Sequence, residues 1–123
     1  MKIFAALIFS LPLLLNANLG HANEVEIVDV VVKKSSENTF LFSVSLKHND
    51  EGWDHYANEW QVIGPDGSVL GSRILAHPHV NEQPFTRSLS DVYIPRTIQQ
   101  VTIRAQDSVH GWAKETLGTN VPH

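Results

Sequence analysis

Apolar and polar residues alternate along much of this chain, which predicts β-strands. The alternation is cleanest in Thr39–His48, where every second residue from Phe40 to Leu46 is apolar and His48 falls in phase with them. No stretch after residue 22 shows the period of about 3.6 residues that is typical of an amphipathic helix. Seven strands are predicted: Glu24–Lys33, Thr39–His48, Tyr56–Ile63, Ser68–Leu75, Phe85–Ile94, Gln99–Asp107 and Trp112–Leu117.

The spacing of these strands predicts an all-β fold, a seven-stranded immunoglobulin/fibronectin-III-like antiparallel sandwich. Turn signals such as Gly64–Gly67 recur about every eight to twelve residues, which is typical of sandwiches. Trp60 lies on the inward face of the third predicted strand, as the buried tryptophan of immunoglobulin-like domains does. A change of phase near Val28 predicts a β-bulge. The tail Gly118–His123 is expected to fray.

The first 22 residues are interpreted as a secretory signal. Lys2 is followed by the apolar run Ile3–Leu15, which is shorter than the roughly 20 residues that span a bilayer. Small residues before the cut favour cleavage after Ala22 over the alternative after Gly20. The prediction is a signal peptide over residues 1–22 and a single β-sandwich domain over residues 23–123, located in the periplasm or secreted.

Composition excludes several classes of function. Without Lys2 the nine basic residues become eight against thirteen acidic ones, a net charge of −5, which argues against nucleic acid and anionic membranes as partners. There is no cysteine, and the single methionine is Met1. A cysteine nucleophile, a blue-copper site and a methionine-rich copper(I) site are therefore excluded. A periplasmic protein is the partner class that stays open.

The histidines are expected to meet at one end of the sandwich. Alternate connections of an antiparallel chain lie at the same end, and a seven-residue strand spans roughly 23 Å, so residues at opposite ends cannot share a ligand. The connections after the second, fourth and sixth predicted strands are Asn49–His55, Ala76–Pro84 and Ser108–Gly111. Five histidines fall in or beside these connections: His48, His55, His77, His79 and His110.

Clustered imidazoles predict a site for a divalent transition metal. Copper and zinc bind neutral imidazole nitrogen, and three or four such ligands suffice. Pro78 favours extended backbone at His77, so the rings of His77 and His79 can face the same way. The predicted ligands are His77, His79, His110, His48 and His55, and the predicted cofactor is a copper or zinc ion. Asp54, Glu82 and Asp107 are candidate carboxylate ligands or partners that orient a ring.

Two other functions compete with a metal-handling protein. The first is an interaction module without metal, in which Trp53, Tyr56 and Trp112 form a recognition surface with the histidines. The second is a metal-assisted hydrolase with Glu82 or Asp54 as the base. A small sandwich offers little room for a deep pocket, and no arrangement of nucleophile, base and orienting group is visible. The chain is therefore predicted not to be an enzyme.

Three motifs resemble those of a family of small, uncharacterised exported proteins from proteobacteria. They are His77-Pro78-His79-Val80, Glu82–Leu89 and Asp107–Gly111. The resemblance covers most of the chain after the signal, and it implies an exported single domain without assigning a role to any residue. Ala113-Lys114 departs from the small residues that follow this last motif in that family.

Overall fold

The computed structural model describes residues 24–123, which form eight antiparallel β-strands. The strands are β1 (Glu26–Ser36), β2 (Thr39–Lys47), β3 (Ala57–Ile63), β4 (Val69–Ile74), β5 (Phe85–Tyr93), β6 (Gln100–Asp107), β7 (Gly111–Trp112) and β8 (Leu117–Asn120). Within this range no helix is long and apolar enough to cross a membrane. The predicted signal peptide and its cleavage site lie outside the described residues.

The strands form two sheets, so the predicted all-β sandwich is confirmed. One sheet has the order β1-β2-β5, and the other has the order β4-β3-β6-β7, with β8 also paired to β6. The bulge predicted near Val28 is present, because the β1–β2 register shifts between Ile27 and Asp29.

The core is built from the apolar face that the sequence alternation predicts. On β2, Phe40, Phe42, Val44 and Leu46 are completely buried, while the residues between them are partly exposed. Strand β3 contributes Trp60 from the facing sheet, also completely buried. Burying large apolar side chains is the main favourable term in folding. The two sheets are therefore held together along these inward faces.

The predicted count of seven strands was wrong, because residues 24–123 form eight. The extra strand lies at the C-terminal end. The segment predicted as one strand, Trp112–Leu117, is divided between β7 and β8, which pair with opposite ends of β6. An exposed strand edge leaves backbone N–H and C=O groups unpaired. At the edge of β6 that faces away from β3, β7 pairs with one end of the strand and β8 pairs with the other. The extra strand lies after β6, so the order of the earlier connections is unchanged.

The C-terminal tail is packed rather than frayed, which corrects a second expectation. Residues 117–120 form β8, and Val121 is only 5% exposed. The His123 ring packs edge-on against Phe40 at 5.1 Å between centroids, and its Nε2 lies 2.9 Å from the Ile98 carbonyl oxygen. The tail therefore closes the core at the end opposite to the long loops.

Strand register brings the ends of β2, β4 and β6 together. Leu46 at the end of β2 is opposite Phe85 at the start of β5. Ala57 at the start of β3 is opposite Asp107, the last residue of β6. The long connections 48–56 and 75–84 and the short connection 108–110 consequently lie at one end of the sandwich.

Candidate metal centre

The five histidines lie on or beside connections at one end of the sandwich, and ring contacts join them in two sets. The His48 and His55 rings are 4.9 Å apart between centroids, and the His55 and His110 rings are 5.0 Å apart. His77 and His79 form a separate pair at 4.7 Å. The structure thus divides the five residues into a group of three and a group of two.

The loop after β2 folds into a tight turn that positions the His55 ring. The Glu51 amide donates to the His55 carbonyl at 2.8 Å, and the His55 amide donates to the Gly52 carbonyl at 3.2 Å. Gly52 has a φ of 111°, a conformation that glycine adopts without steric cost. This turn brings the Glu51 carboxylate to 2.7 Å from His55 Nδ1.

Asp107 is the centre of the group of three histidines. Its side chain is completely buried, and its Oδ1 accepts hydrogen bonds from the backbone amides of Val109 at 2.8 Å and His110 at 2.7 Å. Burial by itself raises the pKa of Asp107, but these amides, with the His110 imidazole, outweigh it and hold the pKa below the usual 3.8. Asp107 is therefore a fixed, ionised oxygen donor.

Two imidazoles direct their Nε2 atoms at this carboxylate. His55 Nε2 lies 3.2 Å from Asp107 Oδ1, and His48 Nε2 lies 3.6 Å from Asp107 Oδ2. One donor atom from each of His48, His55 and Asp107 lies within 4.8 Å of the other two. His48 is 4% exposed and Asp107 is 2% exposed, so the group sits at the base of the loops and away from bulk water.

Outer carboxylates fix which nitrogen of each ring carries the proton. Asp50 Oδ1 is 2.5 Å from His48 Nδ1, and Glu51 Oε1 is 2.7 Å from His55 Nδ1. An ionised carboxylate can only accept a hydrogen bond, so each Nδ1 carries the proton. In the neutral rings both Nε2 lone pairs then face Asp107. His55 Nε2 is buried and has no hydrogen-bond partner within residues 24–123.

The Nε2 lone pairs of neutral His48 and His55 are repelled by the negative carboxylate of Asp107. This repulsion is removed when a positive charge lies between the rings and the carboxylate. A bound divalent cation supplies that charge, and so does protonation of the rings. Imidazoles whose other nitrogen is held by a carboxylate are also the usual arrangement around protein-bound zinc. The arrangement therefore offers two nitrogen donors and one oxygen donor to a metal ion.

His110 lies at the solvent side of the cluster. Its Nδ1 is 3.2 Å from both carboxylate oxygens of Asp107. Its side chain is 36% exposed, against 14% for His55 and 1% for His48. The mutually close donor set does not extend to it.

His77 and His79 occupy a different environment. His79 stacks on Phe85 at 3.9 Å between centroids, and its Nε2 is 2.8 Å from the Arg87 guanidinium. Arg87 in turn contacts Glu82 at 3.3 Å. A guanidinium always donates, so it occupies the Nε2 lone pair of His79. His77 is exposed, and its Nδ1 lies 3.1 Å from the Pro78 carbonyl.

Asp50 and Gln83 connect the two histidine groups. Asp50 Oδ2 accepts a hydrogen bond from the His79 amide at 2.7 Å, while its other oxygen holds the His48 ring. Gln83 Oε1 accepts from the His48 amide at 2.9 Å, and its Nε2 donates to the His79 carbonyl at 2.8 Å. The loop 75–84 therefore supports the His48 side of the cluster.

The lowered pKa of the His79 imidazole makes the free energy of unfolding depend on pH. Burial, the Arg87 guanidinium and His77 lower the pKa of His79 below its usual 6.5. The unfolded chain then takes up this proton at a higher pH than the folded chain, so the free energy of unfolding decreases as the pH falls below 6.5. We expect His79→Gln to show a shallower decrease than the wild type in urea denaturation series. His77→Gln removes only one of the three causes of the lowered pKa, so its slope should lie between those of wild type and His79→Gln. Equal slopes for His79→Gln and wild type would contradict this prediction.

Sequence reasoning missed four residues that organise this end: Asp50, Glu51, Gln83 and Arg87. Asp50 and Glu51 lie in the loop Asn49–His55, which is rich in polar residues, but no local signal distinguishes them from Asp54. In the structure Asp54 is exposed, and Glu82 pairs with Arg87. Of the three candidate carboxylates, Asp107 is therefore the one that lies inside the cluster.

Comparison with known proteins gives one similar chain from Halomicrobium mukohataei, named "Putative lipoprotein". It is 37% identical over 94 residues, which cover 76% of this chain and 46% of that protein. This chain thus spans about half the length of the curated relative it matches. No known family model and no solved structure matches the chain. A lipoprotein is an exported protein, which agrees with the predicted export; the proteobacterial family stays a prediction.

Proposed function

We propose that this chain is an exported, periplasmic or secreted protein that holds one divalent transition metal ion, copper or zinc, for handling or delivery rather than catalysis. The proposed ligands are His48 Nε2, His55 Nε2 and Asp107. The observation that carries the proposal is that two imidazole nitrogens, oriented by outer carboxylates, face one buried carboxylate. The name of the relative supports export.

The distances in the cluster suit a small tetrahedral ion. Zinc binds imidazole nitrogen and carboxylate oxygen at about 2.0–2.2 Å, so two donors at tetrahedral corners lie roughly 3.3–3.5 Å apart. The two nitrogen–oxygen distances from Asp107 are 3.2 and 3.6 Å. The two distances go to different oxygens of Asp107, and all three donor atoms lie within 4.8 Å of one another, so side chains must move closer together to hold an ion.

The donor set separates copper and zinc from other metals. Calcium and magnesium prefer sites made of oxygen atoms alone, and copper(I) favours sulfur, which the sequence lacks after Met1. Copper(II) generally binds nitrogen and oxygen sites more tightly than zinc does. We expect copper(II) to bind more tightly in vitro, while the resident metal depends on what the cell supplies.

Titration of the chelator-treated, tag-free protein with zinc and copper(II) against a competing chelator tests the proposal. We expect binding of about one ion per chain, with no comparable binding of magnesium. Zinc and copper affinities no higher than those of an unrelated protein with scattered surface histidines would end the proposal.

Metal affinity should decrease with falling pH. Protons compete with the metal for each Nε2, so binding releases protons and weakens in acid. We expect zinc affinity to drop by at least about tenfold between about pH 7.5 and about pH 5.5. Competition titrations at several pH values measure this change. Affinity that stays constant over this range would indicate that the histidines are not ligands.

A second candidate is an interaction surface at the same end. Trp53 is 67% exposed beside Tyr56, and Val109 and Val80 are 58% and 54% exposed. Exposed aromatic and apolar side chains on loops are typical of recognition surfaces. Loss of binding to a partner protein in Trp53→Ala, with unchanged metal affinity, would favour this candidate over metal handling.

A further inference from the structure

The cluster provides three donor atoms, whereas copper and zinc ordinarily take at least four ligands. We infer that a metal held by His48, His55 and Asp107 keeps one exchangeable coordination position toward His110. This position takes a small neutral donor, which is water in isolation or an imidazole of an acceptor. The inference rests on the proposed function and adds how the ion would be passed on.

His110 is placed to orient Asp107 rather than to complete the metal shell. Its backbone amide and its Nδ1 both contact the Asp107 carboxylate, at 2.7 and 3.2 Å. Nδ1 of this ring is thus directed at the carboxylate, and the set of donor atoms within 4.8 Å of one another excludes His110. The fourth position is therefore left without a protein ligand among residues 24–123.

The exposure of the side chains shows from which side a ligand reaches the cluster. The side chains of His48 and Asp107 are 1% and 0% exposed, while those of His55 and His110 are 14% and 36% exposed. The route from solvent consequently runs past His110 and His55. A donor from solvent therefore reaches the cluster past the more exposed His110 and His55 and not past the buried His48.

Charge selects the class of donor. Three carboxylates surround the ion: Asp107 as a ligand, and Asp50 and Glu51 one ring away on His48 and His55. Their three negative charges exceed the two positive charges of the metal, so a further anion is repelled. A neutral nitrogen or oxygen donor avoids this repulsion, and imidazole is a strong neutral ligand for these metals.

Cobalt(II) in place of zinc makes the coordination visible by its absorption spectrum. The cobalt-loaded protein is titrated with imidazole and, separately, with azide, and the bound cobalt is measured after gel filtration. We expect a saturable spectral change with imidazole while cobalt stays on the protein, and a change with azide only at higher concentration. His110→Ala should bind cobalt more weakly, because Asp107 loses the partner that orients it. At saturating cobalt it should keep the imidazole response, because His110 is not the fourth ligand.

Four results would overturn the inference without refuting metal binding. The first two are a cobalt spectrum that imidazole does not change and an azide response at lower concentration than the imidazole response. The others are a response that appears only in His110→Ala and release of cobalt by imidazole without a preceding spectral change. If the protein binds neither zinc nor copper nor cobalt, the proposed function itself fails, and this inference fails with it.

Discussion

The variant His55→Ala is expected to lose zinc affinity by more than about 100-fold, beyond the roughly 10–100-fold that removal of an outer partner costs. His55 supplies an Nε2 that is buried, has no hydrogen-bond partner in the described chain and lies 3.2 Å from Asp107. Removing it leaves two of the three proposed ligands. Its partial exposure makes it a safer target than His48 for keeping the fold.

His77→Ala is the matched control for this experiment. His77 lies at the same end of the sandwich but pairs with His79 outside the cluster, so zinc affinity should stay at the wild-type value. Glu51→Gln should fall between the two, with a loss of about 10–100-fold, because Glu51 orients His55 without touching the metal. Competition titration measures all three, and thermal melts confirm folding. Equal losses for His55→Ala and His77→Ala would contradict the assignment of ligands.

The second large effect is expected on stability, from Asp50→Ala. The buried Asp50 carboxylate accepts hydrogen bonds from the His48 ring, from the Ala57 amide at 2.9 Å and from the His79 amide at 2.7 Å. Alanine leaves all three donors buried without this acceptor. Breaking a buried charged network in this way typically costs about 3–5 kcal/mol. We expect a decrease of this size in the free energy of unfolding, measured by urea denaturation of the metal-free protein.

Asp54→Ala provides the comparison in the same loop. Asp54 is exposed, so its replacement should change the free energy of unfolding by no more than about 0.5 kcal/mol. A loss below about 1 kcal/mol for Asp50→Ala would show that the three donors find other partners, water included. Asp50 would then not be the residue that joins the loops.

The prediction from sequence succeeded where the signal is local. The alternation in Thr39–His48 correctly gave the buried face of β2, and it placed His48 in phase with that face. It failed at the C-terminus, because the pairing of β7 and β8 depends on the free edge of β6 rather than on their own residues. Whether a short polar segment frays or pairs is decided by the strand that lies beside it.

The candidate site also has one part that the sequence predicts and another that it does not. Strand order alone placed the five histidines at one end, since alternate connections of an antiparallel chain lie together. It could not divide them into the Asp107 group and the His77–His79 pair, and it gave no reason to choose Asp50 over Asp54. Those distinctions come from contacts between loops that are distant in sequence, such as Asp50 with His79.

The sequence by itself therefore determined the β-sandwich, its apolar core and the end at which the histidines lie. Each of these follows from side chains that alternate across a strand and from connections that alternate between two ends. The tertiary structure alone decided which nitrogens face Asp107 and which are held by Asp50, Glu51 or Arg87. Hydrogen-bond geometry of this kind depends on packing across the two sheets and between loops, and no local pattern of residues encodes it.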